Sequence, residues 1–135
     1  MALSILHTAQ DVEKVVLNAN GEIIPNDILT LPPEKPKSYA YCSDTLYNPD
    51  IVPLIKEVDL LYHEATFLDS EKELAKKTMH STAKQAAEIA KQANVKKLVL
   101  GHFSSRYKDE NQSKEEAKEI FPQVDIAQEG KVFEI

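Results

Sequence analysis

Apolar and polar positions along the chain follow two regimes, and the change comes near Ser38. Beyond it, short apolar runs alternate with amphipathic stretches. Tyr39-Ala40-Tyr41-Cys42 is a run of the kind that fills a buried strand. Asn48-Pro49 reads as a helix start, with asparagine as N-cap and proline at the first helical position; Ile51, Leu54, Ile55 and Val58 then recur at helical spacing. Leu60-Leu61-Tyr62 predicts a second strand. Ser70 with Glu73 has capping-box spacing for a short helix to about Lys77. Thr82 with Gln85 has it again, opening a helix with Ala83, Ala86, Ala87, Ala90 and Ala93 on one face. Lys97-Leu98-Val99-Leu100 predicts a third strand. Ser113 with Glu116 predicts the cap of a last helix, stopped by Pro122. Val124–Ala127 and Val132–Ile135 predict two terminal strands around the turn Glu129-Gly130.

Strands alternating with helices in this order predict an α/β layered domain. The first 37 residues are different. Asn18-Ala19-Asn20-Gly21 predicts a turn, and Pro25, Pro32, Pro33 and Pro36 follow at a density that excludes continuous helix or central strand. The expected division is a hairpin or loop plus extended connector over 1–37, and a regular domain over 38–135.

Composition narrows the class without naming a function. Hydrophobic residues make up 42% and charged residues 28% of 135, which fits one soluble globular domain. No apolar run approaches the ~20 residues of a membrane span, and the first residues do not read as a signal peptide. Cys42 is the single cysteine, so no internal disulfide forms, and a reducing, cytoplasmic location is expected. The net charge of −6 argues weakly against nucleic acid as a partner, since phosphate binding needs local Lys and Arg. That objection is limited, because metal ions also recruit phosphate.

Each of the three best strands ends in ionisable residues: Ser43-Asp44-Thr45, His63-Glu64 and Gly101-His102. Ligands of open α/β sheets collect beyond the carboxyl ends of strands. Neighbouring strands would therefore bring Asp44, His63, Glu64 and His102 to one rim, and His80 could join from the loop before the Ala-rich helix. Asp and His together suit zinc or manganese. Structural accounts compete at each position. Asp44 fits an Asx turn equally well, His102 a satisfied structural histidine, Glu64 an exposed strand-end charge, His80 a residue preceding a helix cap, and Arg106 a solvated loop residue.

Four strings taken together are more specific. Tyr41-Cys42-Ser43-Asp44-Thr45, His63-Glu64-Ala65-Thr66-Phe67, His80-Ser81-Thr82 and Gly101-His102-Phe103-Ser104-Ser105-Arg106-Tyr107 occur in this order. From about residue 20 onward the chain resembles the C-terminal half of the ribonuclease Z family, tRNA 3′-endonucleases of the metallo-β-lactamase superfamily. The resemblance implies the C-terminal half of an αββα sandwich, with one mixed sheet and helices on one face. It implies that Asp44 bridges two zinc ions and that His102 is a terminal ligand. It implies that Glu64 and His80 form the proton-donating pair, and that Ser104 and Arg106 contact RNA phosphate. His63 is given a structural role. The substrate implied is precursor tRNA, and the assembly a homodimer.

The family's H-x-H-x-D-H motif, carried by its N-terminal half, is absent from these 135 residues, as is a further family histidine before Asp44. Of the metal-binding positions only Asp44 and His102 are matched. The expectation is therefore that this chain alone binds zinc weakly or not at all and does not cleave RNA. Two other readings remain: a non-catalytic half-fold used for assembly, and another hydrolase of the same superfamily.

Overall fold

The computed structural model describes residues 34–135 in full, together with the backbone of Ala2–His7, Val16–Leu17 and Ile23–Ile24 and the turn residue Asn20. The connector prolines Pro25, Pro32 and Pro33 lie outside the described residues. Strands are β1 (Ala2–His7), β2 (Val16–Leu17), β3 (Ile23–Ile24), β4 (Ser38–Ser43), β5 (Leu60–Glu64), β6 (Lys97–Gly101) and β7 (Val124–Ile126). Helices are α1 (Lys72–Thr78), α2 (Ala83–Gln92) and α3 (Asn111–Lys118).

The main sheet runs β1-β4-β5-β6-β7 and is mixed: β4 to β7 are parallel and β1 pairs antiparallel with β4. The apolar pattern assigns no strand to Ala2–His7, yet that backbone pairs with the whole of β4. β2 and β3 form a separate antiparallel pair around Asn20.

Side chains alternate across each strand. Ala40, Cys42, Leu61, Leu98, Leu100, Val124 and Ile126 therefore face one way, into the core beneath the helices. The alanines of α2 are fully buried there. With no atoms beyond Cβ they let the helix lie close to the sheet, and Ile89 fills the remaining space. Burial of side chains such as Leu61, Ile89 and Leu98 contributes about 1.5–3 kcal/mol each. The Thr82–Gln85 capping box forms as expected: Thr82 Oγ1 accepts from Gln85 N at 3.2 Å, and Gln85 Oε1 accepts from Thr82 N at 3.0 Å. The opposite face carries half-buried Tyr39, Tyr41 and Tyr62. Tyr41 and Tyr62 sit directly across the β4–β5 ladder and stack with ring centroids 4.6 Å apart. Gly101 makes room for the Tyr62 ring, which occupies the space a Cβ there would need.

Four local expectations are corrected. Residues Pro49–Ile55 form a 3-10 helix in which Leu54 is exposed. Asn48 does cap it, but Pro53 supplies no N–H for an α-helical ladder. The Ser70–Glu73 box does not form; Asp69–Glu71 is a 3-10 turn, and Asp69 N donates to Glu116 Oε2 instead. Glu116 is thereby taken from the Ser113 box, and Ser113 lies inside α3. Finally, Val132–Ile135 is not a strand, and Val132 is largely exposed. Among the described residues no helix is long and apolar enough to cross a membrane.

Candidate metal centre at the rim of the sheet

Parallel register aligns the strand ends. Cys42 pairs with His63, and His63 with Leu100, so β4, β5 and β6 finish level with one another. The residues directly after β4 and β6 then turn sharply. Asp44 and His102 both have left-handed backbone, with φ of 49° and 58°. Asp and His tolerate this region better than most residues. Met79, the C-cap of α1, is left-handed as well, with φ of 63°; His80 N then bonds back to Ala75 O at 2.9 Å. These reversals bring Asp44, His80 and His102 together. Each offers one ligand atom, and the three atoms lie within 4.8 Å of one another.

Glu64 is the anchor of the rim. It is fully buried, and its carboxylate accepts from Thr45 N at 2.6 Å, Thr66 Oγ1 at 2.7 Å and Ser81 N at 3.1 Å. His80 Nδ1 lies 3.0 Å from one oxygen and 3.2 Å from the other. One carboxylate thus ties the loop after β4, the loop after β5 and the loop before α2. Ser81 Oγ adds a bond to Thr45 O at 2.7 Å.

The hydrogen bonds also set the histidine tautomers. A neutral imidazole donates from one nitrogen and accepts at the other. His80 Nδ1 faces a carboxylate, so it carries the proton and Nε2 is left with its lone pair. Thr66 Oγ1 has one proton and two oxygen acceptors in reach, Glu64 Oε2 at 2.7 Å and His102 O at 2.9 Å; with the proton on either, it accepts from His102 Nδ1 at 2.9 Å. His102 Nε2 is then an acceptor too, and it points at Asp44 Oδ1, 3.2 Å away. Two acceptors at that distance repel unless a proton or a cation lies between them. Ring nitrogens oriented by a carboxylate or hydroxyl behind them are the usual support of metal-binding histidines. The donor set of one carboxylate and two imidazoles therefore fits a zinc-like cation.

The expected rim residues separate into two groups. Asp44, Glu64, His80 and His102 converge. His63 does not: it is fully buried, with Nδ1 2.8 Å from Glu64 O, and among the described residues Nε2 has no partner. Burial holds its pKa below the ordinary histidine value. Arg106 is paired with Glu71 and lies over the Phe67 ring, while Ser104 Oγ accepts from Arg106 N at 3.5 Å. Sequence reading gave no role to Thr66, Ser81 or the Thr45 amide. Thr66 and Ser81 stand within the matched strings, but no spacing rule links either to a carboxylate. Nor does any signal pair Glu71 with Arg106, 35 residues away.

Residues 29–103 match the family model for the beta-lactamase superfamily domain. The chain is 57% identical over 110 residues to a ribonuclease Z of Parabacteroides distasonis, covering 82% of this chain and 36% of that protein. It is 47% identical over 131 residues to a ribonuclease Z of Cytophaga hutchinsonii, covering 97% of this chain and 42% of that protein. It thus spans well under half the length of these curated relatives. Among solved structures, the metallo-beta-lactamase fold protein YhfI from Bacillus subtilis superimposes with a TM-score of 0.68 at 28% identity, over 73% of this chain and 40% of that one. The short form of human tRNase Z does so with a TM-score of 0.57 at 30% identity, over 84% of this chain and 36% of that one.

Proposed function

Because this chain belongs to the beta-lactamase superfamily and resembles ribonucleases Z in sequence, we propose that it is part of a zinc-dependent endoribonuclease acting on the 3′ trailer of precursor tRNA. The observation that carries the reading is the convergence of Asp44, His80 and His102 beside a buried carboxylate. In this reading Asp44 and His102 hold metal. Glu64 orients His80 through Nδ1 and supports the imidazolium formed when Nε2 takes up a proton from solvent, and Nε2 then gives that proton to the departing 3′ oxygen. Zinc, when bound, would activate water and offset the charge on the reacting phosphate. Arg106 would exchange Glu71 for an RNA phosphate, with Ser104 beside it.

Three donors do not enclose two ions, and these 135 residues contain no H-x-H-x-D-H sequence. The remaining ligands must come from a polypeptide that carries that motif, and the chain alone is inactive. Self-association belongs to the same proposal, with the tyrosine-bearing sheet face as the surface available for it, and so does a cytoplasmic location. The experiment combines zinc and 3′-extended precursor tRNA with the chain, alone and with a polypeptide bearing the missing motif. Cleavage at the 3′ junction is expected only in the combination. Specific cleavage by the chain alone would overturn its inactivity, and none in the combination would overturn the nuclease reading.

A further inference from the structure

We propose that the cleft between Tyr47 and Met79 seats a nucleobase of the RNA beside the metal triad; the idea rests on the nuclease reading and adds a recognition element to it. The cleft has a volume of about 400 Å3 and is lined by Asp44, Thr45, Leu46, Tyr47, Asn48 and Met79. That lies within the ~300–1,000 Å3 of small-molecule sites. Asp44 belongs both to the cleft and to the triad, so an occupant would lie next to the reacting centre.

Met79 is the telling residue. Its backbone is left-handed, at a helix C-cap position where glycine or asparagine is usual. Its side chain is 61% exposed. A methionine there strains the backbone and leaves a thioether in water, and neither helps the fold. Both make sense if the thioether packs on a ligand. Sulfur makes favourable contacts with aromatic rings, and a tyrosine ring stacks bases with little regard to sequence.

The lining favours a base over a phosphate. Among the described residues no Lys or Arg lines this cleft, so a phosphate would find no cationic side chain there. Past Leu46 and Tyr47 a second cleft of about 260 Å3 begins, and there Lys72 and Lys76 stand in the wall with one carboxylate, Glu73, between them in sequence, a net positive lining. An apolar cleft followed by a cationic one matches the alternation of base and phosphate along single-stranded RNA.

The chain has two methionines, Met1 and Met79, so [13C-methyl]methionine labelling gives two methyl signals. The labelled full chain is titrated to millimolar levels with adenosine 5′-monophosphate and, separately, with ribose 5-phosphate. An upfield ring-current shift of the Met79 signal is expected with the nucleotide, with Met1 unmoved and ribose 5-phosphate without effect. An unmoved Met79 signal, or an equal response to ribose 5-phosphate, overturns the proposal. Because this readout needs no catalysis, a shifted Met79 alongside failed tRNA cleavage would leave the base seat standing and sink only the nuclease reading.

Discussion

Asp44 Oδ1 and His102 Nε2 face each other across 3.2 Å, and the Thr66 hydroxyl behind the ring leaves that nitrogen an acceptor. The pair needs a cation or a proton to hold it. Zinc binding should therefore depend on both residues. We expect Asp44→Asn and His102→Ala each to weaken zinc binding at least tenfold, in competition with a chromophoric chelator, when the chain is combined with a polypeptide bearing the H-x-H-x-D-H motif. Equal zinc retention by wild type and His102→Ala would place the metal elsewhere.

Removing Glu64 should cost stability as well as function. Glu64→Ala strands the buried amides of Thr45 and Ser81 and frees His80. Each buried donor left unsatisfied costs about 1–3 kcal/mol, so the urea midpoint should fall sharply. Glu64→Gln keeps the volume but turns an amide donor toward other donors, and should lie between. A Glu64→Ala variant as stable as wild type would remove the carboxylate from its anchoring role.

Gly101 is fixed by a neighbour's ring. A Cβ there would sit 2.6 Å from the Cζ of Tyr62, whose ring is held by its stack on Tyr41. Gly101→Ala should destabilise by about 1–3 kcal/mol, the usual cost of overpacking. In a double-mutant cycle the loss should largely vanish on the Tyr62→Ala background. Additive effects would show that backbone freedom, not the ring, dictates glycine at this position.

Burial raises the Cys42 thiol from its ordinary 9.0 to about 11. The folded protein should react with a thiol reagent near neutral pH only as it unfolds. The pH dependence follows from the sign of the shift. The unfolded thiol ionises first, so this contribution to stability is intact below the ordinary value and is lost as pH rises toward 11. Cys42→Ala should flatten the alkaline limb of a stability–pH curve; an unchanged limb would contradict the assignment.

The parallel core and its strand ends were legible in the sequence because burial on both faces writes continuous apolar runs, as at Leu60-Leu61 and Leu98-Val99-Leu100. The Ala-rich helix was legible because its cap and its small-residue face agree. Caps failed where a distant residue won the side chain: Glu116 serves Asp69 across 47 positions, not Ser113 three residues away. Asp44, Glu64, His80 and His102 stand out in their strings, and the register of β4 to β6 explains why these side chains lie near one another. Thr66, which sets the His102 tautomer, was not found. A hydroxyl in a matched string looks the same whether it caps a turn or orients a ring.

The left-handed backbone at Asp44, Met79 and His102 has an evolutionary consequence. Glycine would take each of these conformations without steric strain. A library of this protein sorted only for heat resistance should accumulate glycine at these positions, gaining robustness while erasing two donors and a wall of the cleft. Their retention as aspartate, methionine and histidine would then mark selection for chemistry over endurance.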